Sequence, residues 1–167
     1  MNKIMDAKDW LLLRILEEDS TQETSVVADL TDLSEAEVKD RVCVMENDRI
    51  IRGYCASVDW EKAGEGVAAA TVNLKITPER DVGYDRIAER IARFPQVCSL
   101  RLISGEYDFE LRVTGRNIQD ITRFVSEQIA PMEQIRETAT IIVMKTYKEN
   151  GRILYDRKEG ERLPFSF

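Results

Sequence analysis

The sequence predicts an α+β chain, with an N-terminal three-helix (winged) helix-turn-helix domain followed by a C-terminal ferredoxin-like βαββαβ domain. Three observations point there. A capping box, Ser34 with Glu37, opens a third helix directly after the tight turn Thr31-Asp32-Leu33. Past residue 66, stretches of strand and helix periodicity follow one another in the order β, α, β, β, α, β. The chain has 167 residues, 43% of them hydrophobic, which is enough to build two small cores.

The elements follow in order. From Asp6 to Glu18, Trp10, Leu12, Leu13, Ile15 and Leu16 recur at helical spacing, and polar residues 19–23 end the run. Thr24 is placed to cap a short second helix with Val26, Val27 and Leu30. In the third helix Val38, Val42 and Met45 share a face, and Ile50–Ala56 reads as an extended segment leaving the domain. Val67–Ile76 alternates as a strand. Asp81–Arg93 is a helix striped by Tyr84, Ile87, Ala88, Ile91 and Ala92, stopped at Phe94-Pro95. Val97–Ile103 and Tyr107–Val113 are strands joined by Ser104-Gly105-Glu106. Asn117 caps a helix carrying Ile118, Ile121, Val125 and Ile129, and a last strand runs over Glu137–Tyr147. Asn150-Gly151 is a two-residue hairpin signal that folds Arg152–Asp156 back. The domain limits are therefore 1–53 for the helix-turn-helix, 54–66 for a linker strand and hinge, 67–147 for the βαββαβ domain, and 148–167 for a hairpin strand and tail. One sheet face is left without helices, and Val143 beside Ile142 and Ala139 beside Thr138 make it partly apolar; an identical copy would cover it in a homodimer. The apolar end Leu163-Pro164-Phe165-Ser166-Phe167 is read as a fraying terminus.

Composition excludes several classes. With no histidine there is no Ser-His-Asp triad, Cys-His pair or histidine zinc site, and no paired carboxylate motif stands out. No catalytic residue, metal site or cofactor is predicted. Cys43, Cys55 and Cys98 have no C-x-x-C spacing and suit reduced thiols in the cytoplasm; Cys43 is expected to be an inert packed thiol. No apolar run is long enough to span a membrane, and the start lacks a secretory h-region. Charge is unevenly spread: residues 1–53 hold 7 Lys+Arg against 13 Asp+Glu, whereas residues 54–167 hold 17 against 18.

Met5-Asp6-Ala7-Lys8-Asp9, Leu33-Ser34, Arg41-Val42, Ile50-Ile51-Arg52-Gly53-Tyr54, Phe94-Pro95-Gln96-Val97 and Ser104-Gly105-Glu106-Tyr107-Asp108 together resemble the Lrp/AsnC transcriptional regulators, over residues 5 to 147. The resemblance implies a DNA-binding helix-turn-helix, an effector domain with its site between subunits, dimers that can assemble to octamers, and control by small molecules, often amino acids. On the DNA side the candidate residues are Ser34, Ala36, Lys39, Arg41, Arg49 and Arg52. Relatives commonly carry an arginine-rich run near Arg41, whereas this chain has Asp40, Cys43 and Val44 there, so its acidic domain weakens affinity for duplex DNA. On the effector side the Ser104, Gly105 and Glu106 turn offers backbone N–H groups to a carboxylate, and Asp108 could receive an ammonium. Tyr107 belongs to the same segment. Thr138 and Thr140 place two hydroxyls on one strand face where relatives contact the effector. A degenerate helix-turn-helix on an oligomeric metabolite-binding protein is the alternative. A third class, proteins of this layout acting in tetrapyrrole decarboxylation, is disfavoured because a histidine is absent and an arginine-rich pocket is not evident.

Overall fold

The computed structural model describes residues 5–60, 62–64, 66–78 and 83–154. The apolar end at 163–167, the far end of the folded-back strand (Tyr155 and Asp156) and Asp81 and Val82 of the expected helix lie outside them; Gly83 and Tyr84 are described and precede that helix, which starts at Asp85. The chain divides into two compact units after Ser57, four residues beyond the expected limit of the first domain.

The first unit holds α1 (Ala7–Glu18), α2 (Thr24–Thr31) and α3 (Glu35–Asn47). Leu12, Val27, Ala28, Val38 and Met45 form its core, each large aliphatic contributing about 1.5–3 kcal/mol by leaving water. Trp10, expected on the buried face of α1, is 56% exposed; Leu12 takes the inner position instead. Asp6 caps α1, with Asp9 closing a reciprocal capping box. Thr24 is already helical: Glu23 is the N-cap of α2 and makes no side-chain cap bond. Asp32 ends α2 in the left-handed region at φ 52°, a geometry that Asp tolerates better than most residues. Residues 50–56 form no strand. Arg49 adopts φ 57°, and the N–H groups of Ile50 and Ile51 return to the Met45 carbonyl at 2.8 and 3.1 Å. The chain therefore turns back on the end of α3, and no wing strand pairs among the described residues of this unit. Among the described residues of 54–66, expected as a linker strand and hinge, no strand forms; the Ala63 N–H reaches the Asp59 carbonyl at 3.0 Å in a single turn.

The second unit holds β1 (Ala68–Ile76), α4 (Asp85–Ala92), β2 (Val97–Leu102), β3 (Phe109–Gly115), α5 (Ile118–Phe124), a π-helical turn (Val125–Ile129) and β4 (Ile135–Ile142). The strands pair antiparallel in the order β2-β3-β1-β4. Ala70, Val72, Leu74 and Ile76 of β1 and Phe109, Leu111 and Val113 of β3 are buried under the helices. The intervening residues Thr71, Asn73, Glu110 and Arg112 fall on the open face.

Three boundaries differ from expectation. β3 starts at Phe109, and Asp108 just before it accepts from Ile76 N–H and the Tyr84 hydroxyl through its side chain. β4 runs over Ile135–Ile142, ending where β1 runs out of partners; the last bond is Val143 N–H to the Ala69 carbonyl at 2.9 Å. The second helix of this unit is not a plain α-helix. Its final turn is π, closed by Ala130 N–H on the Val125 carbonyl at 2.8 Å, and the wider turn lets adjacent Phe124 and Val125 both face the core while Ile118 stays exposed. Asn117 caps that helix as expected, accepting from Asp120 N–H at 2.8 Å. The hairpin also forms: β5 (Lys148–Glu149) pairs with β6 (Arg152–Ile153) around Asn150 and Gly151 at φ 45° and 79°. It is a separate two-stranded ribbon rather than an extension of the main sheet.

Candidate functional site

In the first unit the capping box sets the start of α3. Glu37 N–H donates to Ser34 Oγ at 3.3 Å, and Ser34 N–H to Glu37 Oε2 at 2.9 Å. Ala36 and Lys39 are exposed on the first turns of α3, and the Lys39 ammonium lies 3.8 Å from Glu35. Arg49 and Arg52 are exposed in the turn that follows the helix.

Arg41 behaves differently from these candidates. Its Nη1 donates to Asp6 Oδ2 and to Asp9 Oδ1, each at 2.7 Å. The other oxygen of each aspartate serves the α1 capping box: Asp6 Oδ1 accepts from Asp9 N–H at 2.9 Å, and Asp9 Oδ2 accepts from Asp6 N–H at 3.0 Å. Arg41 therefore clamps α3 onto the start of α1, with the Asp9 side chain only 4% exposed. Sequence reasoning missed this use; Asp6 and Asp9 one turn apart before an apolar helix were its only visible trace.

The Arg41 hydrogen bond, then the Asp9 backbone N–H, hold the Asp6 carboxyl below its ordinary 3.8. The Ser34 cap holds Glu37 below its ordinary 4.5. A depressed carboxylate stabilises the fold above its unfolded pKa and loses that contribution as pH falls through the folded value. The first unit should therefore keep a constant thermal midpoint from neutral pH to about pH 5 and lose stability below about pH 4.5. Circular-dichroism melts between pH 7 and pH 3 check this, and a midpoint that rises on acidification would contradict it.

Cys43, Cys55 and Cys98 are free and exposed. Cys43 is thus not packed as expected; it accepts from Asn47 Nδ2 at 3.4 Å on the outside of α3.

In the second unit the Ser104-Gly105-Glu106 turn is exposed, with Gly105 at φ 147° where side-chain-bearing residues are rare. Among the described residues, the backbone N–H groups of Ser104 to Tyr107 have no partner. Such a run of free donors suits a carboxylate. Asp108 does not stand free beside them. Its Oδ2 accepts from Ile76 N–H at 2.7 Å and its Oδ1 from the Tyr84 hydroxyl at 3.0 Å. The Tyr107 hydroxyl points to Glu137 Oε1 at 3.4 Å.

Thr138 pairs with Leu74 and Thr140 with Val72, so both threonines lie on the helix side of edge strand β4, with Thr140 exposed. Glu137 and Ala139 lie on the opposite side. The candidate effector residues thus gather near the loop end of the sheet but divide between its two faces. Two open grooves of about 530 and 550 Å³ are lined by other residues, Arg86 to Arg93 with Glu133 and Gln134, and Phe94 to Gln96 with the β3–α5 segment. Neither includes the loop or the threonines.

The open sheet face carries Ala69, Thr71, Asn73 and Lys75 on β1, with Ala139 and Ile141 on β4. Asn73 Oδ1 is buried there without a donor. On β3, Arg112 meets the hairpin residue Glu149 in a bidentate pair, with Nη2 to Oε2 at 2.9 Å. No helix among the described residues is long and apolar enough to cross a membrane.

Residues 69–153 match the model of the Lrp/AsnC ligand binding domain. The uncharacterized HTH-type transcriptional regulator YugG of Bacillus subtilis (strain 168) is 34% identical over 161 residues, covering 95% of this chain and 96% of the relative. The AsnC family transcriptional regulator from Agrobacterium tumefaciens superposes with a TM-score of 0.69 at 30% identity, covering 89% of this chain and 96% of that one. A transcriptional regulator of Neisseria meningitidis, solved as its L-methionine complex, shares the fold with a TM-score of 0.69 at 21% identity, covering 87% and 94%. With a helix-turn-helix unit, a βαββαβ unit and these likenesses over nearly its whole length, the chain belongs to the Lrp/AsnC family of transcriptional regulators.

Proposed function

We propose that this protein is a cytoplasmic, ligand-responsive transcriptional regulator that binds duplex DNA through α3 and senses an amino acid or a related small metabolite through the Ser104–Tyr107 loop. The observation that carries the effector half is the run of unpartnered N–H donors in that loop, held on a fixed stem. An α-carboxylate fits those donors. The methionine complex of the Neisseria relative makes L-methionine the first amino acid to test.

The protein works as a homodimer, or a higher oligomer built from dimers. The open sheet face, with Ile141 exposed and Asn73 lacking a donor, is the surface that a second copy covers. Pairing two copies also brings loop residues of one chain near strand residues of the other. That would account for candidate effector residues lying on both faces of one sheet.

DNA contact rests on Lys39, Arg49 and Arg52, with Ser34 and Ala36 presented beside them. Arg41 serves the fold. A second reading, an acidic helix-turn-helix too weak to hold DNA, is favoured by the imbalance of 7 basic against 13 acidic residues over 1–53. Gel-shift titrations on the protein's own upstream region, at low and moderate salt, separate the two. Replacing Lys39, Arg49 and Arg52 by alanine should flatten the salt dependence, lowering its log–log slope by about 0.9 for each phosphate no longer neutralised. The absence of any shift at low salt, with the amino acids scanned, would decide for the second reading.

A further inference from the structure

We propose that Tyr84, at the start of α4, is a positioning residue of the effector loop, acting through Asp108. This rests on the reading of Ser104–Tyr107 as the effector loop. Asp108 closes the stem of that loop with four bonds. Its N–H donates to the Leu74 carbonyl at 2.9 Å, and its carbonyl accepts from Ile103 N–H at 2.8 Å. Its two carboxylate oxygens divide between separate elements, one taking Ile76 N–H at the end of β1 and the other the Tyr84 hydroxyl.

Each carboxylate oxygen thus already holds one internal donor, which uses about half of the group's acceptor sites and fixes its orientation. Its work is to fix where the loop leaves the sheet. The Ile76 bond ties the stem to a neighbouring strand. The Tyr84 bond ties it to a helix, so the direction in which the free N–H groups point depends on how α4 docks. The Tyr84 ring is placed independently by an edge contact with Phe109, with centroids 5.7 Å apart and planes at 69°. Its hydroxyl therefore contributes position rather than burial. The Asp108 bond, followed by burial, raises the Tyr84 pKa above its ordinary 10.0, so the hydroxyl remains a proton donor across the neutral range. The two groups are 24 residues apart in sequence, and the link runs both ways. A ligand drawing on the loop N–H groups pulls, through Asp108, on the first turn of α4.

The test is Tyr84→Phe in the full chain, which keeps the ring and deletes only the hydroxyl. Amide hydrogen exchange should speed up roughly 10-fold at Ile76, Ile103 and Asp108 and stay unchanged at Val72 and Leu111 in mid-strand. In thermal-shift titrations with each of the twenty amino acids, the one that stabilises the wild type should bind the variant about 10-fold more weakly, measured from an unliganded midpoint lowered by the few degrees that one lost hydrogen bond costs. Unchanged exchange at the three stem amides overturns the tie. Faster exchange with undiminished amino-acid affinity overturns the positioning role and leaves only a structural bond. A wild type that none of the twenty stabilises, together with faster exchange in the variant, sinks the effector reading of the loop and leaves the tie standing.

Discussion

Replacing Arg41 by alanine is expected to unfold the first unit well below the melting temperature of the second. The substitution leaves Asp9, whose side chain is 4% exposed, as a carboxylate with no cation. Breaking a fully buried pair costs about 3–5 kcal/mol. The Arg41 end of this pair is more open to water, at 21% side-chain exposure, so the discounted figure for the Arg41–Asp9 pair alone is about 2–3 kcal/mol. For a unit of this size that lowers the midpoint by roughly 10–15 °C. Calorimetry should then show two separated transitions, with the upper one unmoved. If Arg41 instead contacted DNA, the melting curve would match the wild type and only DNA affinity would fall. That result would mean that Arg41 does not hold the first unit together.

If two copies pair through the open sheet face as proposed, Ile141→Glu should leave the chain monomeric. In one chain Ile141 is 56% exposed on the open face, so a surface change there should alter the stability of the folded chain by no more than about 0.5 kcal/mol. Under a second copy the same carboxylate would be desolvated without a partner. The two-fold axis applies that penalty twice, and dimerisation should weaken at least ~100-fold. Light scattering over a concentration series reads this directly. A variant that dimerises as tightly as the wild type would place the contact somewhere other than this face.

What could be read in advance was short-range chemistry. Ser34 with Glu37, Asn117 before Asp120, and Asn150-Gly151 each act within three or four residues, and each forms as its spacing suggests. The alternation of Phe109, Leu111 and Val113 likewise told the inner sheet face from the outer. What the sequence did not show has a different origin. Arg41 meets partners 35 and 32 residues away, and no local pattern distinguishes an arginine facing DNA from one facing a neighbouring helix. Asp108 reads as an outward strand residue until β1 and α4 arrive on either side of it. The strand expected beyond Gly53 failed because Arg49 takes a left-handed turn, a conformation its residue type does not announce. The family was legible before the structure. The roles of individual charged residues within it were not.

The widened turn at Val125–Ile129 has a consequence for the chain's length. Each residue of an α-helix advances the azimuth by about 100°. If the turn tightened to ordinary helical pitch, everything downstream would rotate by about that amount, carrying Ile129 and Met132, both buried, away from the sheet. Deleting one residue within Val125–Ile129 would instead let the turn close to ordinary pitch and keep Met132 and the approach to β4 in phase. The wide turn thus absorbs one surplus residue without turning the rest of the helix off the sheet, and sequence alignments through this segment should place a single gap there.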